Sequence, residues 1–294
     1  MKYAWIRNQR DQYPVRLLCE VAGVSSSGYY GWMNAADKLR AKREGALRKA
    51  VRFYHQRSNG VYGYRKVHTD MVEEAGLTCC LETVRRIMQS EGLRSRVIRK
   101  HRYPATGEHF VFAAENLLAR DFVASKPNQK WTADITYLRT DEGWLYLAVV
   151  LDLFSRRVVG WSMSQRADAQ LACRALTSAL QQRRPASGLL HHSDQGCQYT
   201  SGAFSAELDR HGIVCSMSRR GNCWDNAVTE SFFSKLKREW VHGKRYRTRQ
   251  EARQDVFLYL EVFYNRKRRH AFLGYQSPEA FERQFHQTNQ KLAA

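Results

Sequence analysis

Two hydrophobic periods divide the chain. Up to about residue 108 the apolar positions recur at helical spacing, and from about residue 125 they alternate or bunch into short runs. In the stretch 15–33, VRLLCEVAGVSSSGYYGWM, Val15, Leu17, Leu18 and Val21 are spaced for one helix. Gly23 breaks it, Ser25 can cap the next, and Tyr29, Tyr30 and Trp32 fill that second helix as core groups. This is helix-turn-helix punctuation, compatible with a DNA-binding unit or with an ordinary helical hairpin. Residues 36–58 read as a separate charged helix. Two further helices are expected, stopped by Gly76 and Gly92. The second has an apolar stripe of Val84, Ile87 and Met88, with Arg85 and Arg86 pointing elsewhere, and the pair is a second candidate helix-turn-helix. A basic linker, 94–107, follows. These patterns divide the chain into 1–35, 36–108 and 109–294.

In the last region strands are expected at 130–140, 144–155 and 157–163, joined by short links into an antiparallel meander. A helix at 167–183, a strand at 188–194, a helix at 201–212 and a strand at 213–218 come next. Helices at 226–240 and 251–269 follow, and Pro278 opens a last short one. The class is α/β: a mixed five-stranded sheet flanked by helices, preceded by an all-α helix-turn-helix region.

Charge adds a partner to this picture. The chain has 48 Lys+Arg against 28 Asp+Glu among 294 residues, a net charge of +20. The excess is spread over both halves, which favours a polyanion such as DNA or RNA. No apolar run has the length of a membrane span, and the N-terminus lacks the apolar core of a signal peptide, so a cytoplasmic, nucleoid-associated protein is expected. Seven cysteines without a C-x-x-C pair suggest neither a disulfide framework nor a zinc ribbon.

Three acids stand in suggestive places. Asp134 lies mid-strand in WTADITYL, sharing a face with Thr132 and Thr136; Asp194 sits just past the fourth strand in HHSDQGCQYTS. Glu230 lies in the 226–240 helix at the margin of its apolar arc. Lys237, seven residues on, falls roughly 20° around and about 10 Å along the same ridge. Each acid alone is as compatible with a hydrogen-bonded structural role. Gathered together, three carboxylates repel unless a cation lies between them. Hard oxygen ligands suit Mg²⁺ or Mn²⁺, and two such ions can activate one oxygen and stabilise another at a phosphodiester.

Five ordered words, WTADITYL, LDLFSRRVVGW, HHSDQGCQYTS, GNCWDNAVTESFFSKLKRE and YNRKRRHAFLGYQSPEAFE, have 35 residues between Asp194 and Glu230. Together they resemble the integrase core of the DDE transposases of bacterial insertion sequences. More narrowly, they are similar to the downstream reading-frame product of the family that moves by copy-out–paste-in. YPVRLLCEVAGVSSSGYYGW and YGYRKVHTDM resemble that family's N-terminal helical region. The resemblance implies an RNase H-like fold. It also implies DNA cleavage and strand transfer at element ends, with Asp134, Asp194 and Glu230 as a catalytic and metal-binding triad. Lys237 matches the family's DNA-contacting basic residue. The implied partners are double-stranded DNA (terminal inverted repeats and target), further copies of the chain on DNA, and an upstream-frame protein or frameshift fusion. No zinc module of the retroviral kind is present.

Other residues complete the expectations. Arg85, Arg86, Asn222, Asn226 and the run Arg266-Lys267-Arg268-Arg269 are candidate DNA contacts, with Asp225 or Asn226 capping the Glu230 helix. Asp152 reads as structural, bonded to backbone or to Arg156 or Arg157. Two rivals remain at this level: a DNA-binding regulator with a dead core, and a nuclease of the same fold acting on RNA–DNA hybrids.

Overall fold

The computed structural model describes residues 1–96, 114–219 and 222–293. It forms two compact units, Met1–Ser95 and Arg96–Ala294. The expected linker from residue 97 onward lies outside the described residues.

The first unit is all helical: α1 (Lys2–Gln9), α2 (Val15–Ala22), α3 (Ser26–Arg57), α4 (Tyr64–Ala75) and α5 (Leu81–Ser90). Gly23 closes α2 at φ +62, and the Ser25 hydroxyl accepts from the Gly28 N–H to start α3. A left-handed closing residue followed at once by a serine cap makes the tight turn between helices. Ile6, Leu18, Cys19 and Tyr29 fill the small core beneath them. Leu17, Val21 and Tyr30, expected inside, are exposed. The separate helix expected at 36–58 is instead the second half of α3, which runs unbroken through position 35/36. α4 and α5 form the second helical pair, and Val84, Ile87 and Met88 are buried as the stripe requires.

The second unit holds the sheet: β1 (Lys130–Thr140), β2 (Gly143–Asp152), β3 (Val158–Ser164), β4 (Leu190–Ser193) and β5 (Val214–Met217), in the order β3-β2-β1-β4-β5. β1, β2 and β3 run antiparallel, and β4 and β5 add on parallel to β1. Helices α6 (Ala169–Arg183) and α7 (Gly202–Arg210) lie in the two crossovers. They pack with Trp131, Ala133, Ala148 and Val150 in the main core. Leu147, Val149 and Leu151, the alternate residues of β2, are equally buried, so this strand is covered on both faces. At Gly160 on β3 a side chain would overlap the Ala175 carbonyl and the Ala179 methyl of α6, so glycine sets that close approach.

α8 (Ala227–Leu236) continues as a π-helical turn, Lys237–Val241. α9 (Arg249–Phe257) continues as a second π-helical stretch, Leu258–Tyr264, and stops before the basic run. α10 (Pro278–Ala293) is tied down by a buried ionic network. Glu282 accepts from Arg183, Arg157 and Ser155 at 2.7–2.8 Å. Asp152 is structural, but its charged partner is Arg183, at 3.2 Å; its other bonds come from the Asn128 and Phe154 N–H groups. Among the described residues no helix is long and apolar enough to cross a membrane.

Candidate active site

The parallel pairing of β1 and β4 decides where the first two acids go. Thr132 is in register with His192. Asp134 stands two positions further along β1, in mid-strand, and Asp194 one residue past the end of the neighbouring parallel strand β4. The Asp194 turn is closed by the Gly196 N–H, which donates to its carboxylate at 3.0 Å. A side chain on Gly196 would press on that same oxygen at 2.9 Å. Asp134 accepts from the Ile135 N–H at 2.7 Å.

α8 crosses that face through a buried polar clamp. The Asn226 side-chain oxygen accepts from the hydroxyls of Thr132 (2.6 Å) and Thr229 (2.9 Å). Its amide nitrogen donates to the carbonyl of Ala133 at 3.3 Å. The clamp therefore joins the residues next to Asp134 with the residue next to Glu230. Glu230 itself is exposed on the first turn of α8. Among the described residues no three His, Cys, Asp or Glu side chains are already placed to hold one metal ion.

Electrostatics nevertheless links the three acids. Burial holds the Asp134 pKa well above the ordinary carboxylate range, and the charges of Asp194 and Glu230 push it further; Lys237 and the Ile135 N–H oppose them. Asp194 is also raised by burial, against its bond from Gly196. Lys237 is lowered by burial and supported by Asp134, with its ammonium 4.6 Å over the Tyr137 ring. Tyr199, fully buried, feels both aspartates, and its hydroxyl has no hydrogen-bond partner among the described residues. This patch combines hard oxygen donors, excess negative charge and an adjoining cation.

The other expected contacts separate into outward and inward groups. Arg266 and Lys267 are exposed, as are Arg85 and Arg86 on α5, although Arg85 also pairs with Glu82. Arg268 is turned inward, 4% exposed and bidentate to Glu239, which takes it out of reach of a phosphate. Arg269 donates to the Tyr275 carbonyl. Asn226 is likewise buried in the clamp and unavailable to DNA. Asn226 does stand at the N-cap position of α8, although its side chain makes no capping bond there; Asn222 accepts from the Trp224 N–H and opens a 3-10 turn, Cys223–Asn226, ahead of α8. Asp225 caps nothing: Arg120, Arg219 and Asn116 surround its carboxylate, holding its pKa far below the usual range chiefly through Arg219. Sequence reasoning missed the clamp and Tyr199. A short Thr-Ala-Asp strand segment and an Asn-x-x-Thr-Glu turn are its only local traces.

The integrase core domain signature matches residues 124–223, a second integrase core signature residues 211–278, and an HTH-like domain residues 42–101. The transposase InsF for insertion sequence IS3A of Escherichia coli (strain K12) is 43% identical over 284 residues, covering 96% of this chain and 98% of that protein. The insertion element IS600 uncharacterized 31 kDa protein of Shigella sonnei is 39% identical over 270 residues, covering 92% of this chain and 99% of that protein. Among solved structures, the catalytic core domain of BIV integrase covers 55% of this chain and 99% of its own, with 18% identity and a TM-score of 0.40. With a relative this similar over nearly the full length of both proteins, the chain belongs to the transposases of IS3-type insertion sequences, polynucleotidyl transferases built on an RNase H-like integrase core.

Proposed function

We propose that Asp134, Asp194 and Glu230 are the catalytic carboxylates of this transposase and together hold two divalent cations, Mg²⁺ or Mn²⁺. The observation that supports this most is the placement of Asp134 on β1 and Asp194 just past the end of the neighbouring parallel strand β4, with Asp134 driven upward by burial and then by the charges of Asp194 and Glu230. A carboxylate pair in that state is relieved by a hard cation. Glu230, exposed one residue beyond the clamp, would complete the set. When bound, the cations activate an attacking oxygen and stabilise the leaving one at a DNA phosphodiester.

The chain's own groups then have defined tasks. The Asn226 clamp fixes β1 against α8, so the acids keep their spacing. Lys237, steadied on Tyr137, presents a cation to the DNA strand beside Asp134. Arg85 and Arg86, with Arg266 and Lys267, supply phosphate contacts that position the element's ends. Water serves as the nucleophile in end cleavage and a DNA 3′-hydroxyl in joining. The protein works as several copies on paired ends, alone or fused to an upstream-frame product.

A labelled element-end duplex incubated with Mn²⁺ tests this. Wild-type protein yields cut and joined products; Asp134→Asn, Asp194→Asn and Glu230→Gln bind the end but yield neither. Joined product from any one of these variants removes that residue from the assignment. Cutting without joining by the wild type, most active on RNA–DNA hybrids, favours the hybrid-nuclease rival, and binding without products favours the regulator.

A further inference from the structure

The outer end of the β1–β2 hairpin carries aromatic rings that the core does not take in. Pairing sets Tyr137 opposite Tyr146 and Arg139 opposite Trp144, so these side chains share one face of the two strands. The rings of Tyr137 and Trp144, diagonal neighbours, meet edge to face with centroids 5.0 Å apart. Tyr137 is 37% exposed and Trp144 47%, although tryptophan is on average among the more buried residues. An edge-to-face pair covers one face of one ring, so Trp144 keeps flat surface for a further partner.

Cross-strand aromatic pairs can stabilise a hairpin, but this turn is already held by other bonds. The Thr140 hydroxyl donates to the Gly143 carbonyl at 2.7 Å, and the Asp141 N–H donates to the Tyr246 carbonyl at 2.9 Å. Arg249 Nε donates to the carbonyl of Trp144 itself at 3.1 Å. The rings therefore stand on a fixed mount. Charge beside them is positive. The Lys237 ammonium lies 4.6 Å from the centroid of Tyr137. Arg139 is exposed and has no hydrogen bond or ion pair among the described residues. The two acids of the turn are engaged elsewhere, Asp141 with Arg245 at 3.1 Å and Glu142 with the Arg249 N–H at 2.8 Å. Open aromatic surface flanked by cations suits a partner that is flat, apolar on its face and anionic at its edge.

We propose that Trp144 and Tyr137 form a stacking platform for an unpaired base of the bound DNA strand, with Arg139 and Lys237 supplying charge to that strand's phosphates. Bases inside a duplex are covered on both faces by their neighbours, so the partner is a base that has left the stack. Stacking of this kind accepts any base, and the platform steadies a frayed or newly cut strand end. Tyr137 is three residues along β1 from Asp134, about 10 Å, which sets the base within a few nucleotides of the carboxylates. That nearness to the reacting phosphodiester depends on the proposed function; the stacking depends only on DNA as the partner.

Binding is measured in EDTA, where the cation ligands play no part, for a blunt duplex and for the same duplex with a short unpaired 3′ extension. Circular dichroism checks that each variant is folded. Trp144→Ala is expected to lose at least about fivefold in affinity for the extended duplex, the lower end of what one stacked base contributes. Its affinity for the blunt duplex and its salt slope on both are expected to match wild type, and Trp144→Phe is expected to recover most of the loss. Arg139→Gln is expected to lower the log–log salt slope on the extended duplex by about 0.7, one single-strand phosphate. Wild-type affinity of Trp144→Ala for the extended duplex, an equal loss on both duplexes, no recovery with Trp144→Phe or an unchanged slope with Arg139→Gln would overturn the proposal. Loss of self-association by Trp144→Ala with DNA binding intact, read by light scattering, would overturn it in favour of a protein contact. Failure of the carboxylate assignment would show instead as joining by Asp134→Asn, which these binding measurements do not touch.

Discussion

Replacing Asn226 with alanine tests the link between the fold and the carboxylates. The side chain satisfies three buried groups: the hydroxyls of Thr132 and Thr229 and the carbonyl of Ala133. After truncation the two hydroxyls, 2.9 Å apart, can still bond to each other. One donor and one carbonyl bond are then lost. At about 1–3 kcal/mol for each buried group left unpaired, and allowing for partial relaxation, the expected loss of stability is about 2–4 kcal/mol. Urea unfolding followed by circular dichroism reads this directly. Because Ala133 precedes Asp134 and Thr229 precedes Glu230, loosening the clamp also shifts the acids. Displacements near 1 Å can cost on the order of 100-fold in rate, so strand transfer is expected to drop at least tenfold at a temperature where the variant remains folded. Asn222→Ala, at the exposed 3-10 cap, serves as the control and is expected to lose about 1 kcal/mol. A loss below about 1 kcal/mol for Asn226→Ala, with strand transfer unchanged, would refute the clamp.

Other perturbations follow from the same packing. His191 is fully buried beside Phe204, neither ring nitrogen has a partner among the described residues, and burial pushes its pKa down to about 3. Below the ordinary histidine value near 6.5 the unfolded chain binds a proton that the folded chain refuses, so this residue costs roughly 1.4 kcal/mol per pH unit as pH falls toward its folded value. His191→Leu is therefore expected to be the more stable protein at neutral pH, with its advantage widening at about pH 5; equal midpoints at both pH values would count against this. Arg268→Ala removes both bonds that Arg268 makes to the partly buried Glu239 and is expected to cost about 3 kcal/mol, with the DNA salt slope unaltered. Arg266→Ala, at an exposed site, is expected to do the reverse: near-neutral stability and a slope smaller by about 0.9. Gly160→Ala should destabilise by about 1–3 kcal/mol through overpacking against α6, read as a lower thermal midpoint.

The parts legible in the sequence were those coded by short-range periodicity. The alternation of KWTADITYLRT marks β1 to the residue, and the following runs give the five strands and two crossovers in order. Asp134 and Asp194 stand out because an acid inside or just past an apolar strand has few local reasons to be there. Tertiary partners were not legible. Four successive basic residues read as surface, but Arg268 is drawn in by Glu239, 29 residues earlier. Asn226 reads as a cap because asparagine before a helix usually is one; only the crossing over β1 gives it buried partners. Asp152 finds Arg183 across a crossover, which spacing does not encode.

Calorimetric titration of the protein with Mn²⁺ tests the central claim most directly, because it reads cation binding without requiring turnover. Wild-type protein is expected to show saturable binding. Asp134→Asn and Asp194→Asn, each still folded by circular dichroism, are expected to show little or none. Binding of the same affinity and stoichiometry in wild type and both variants would contradict the account.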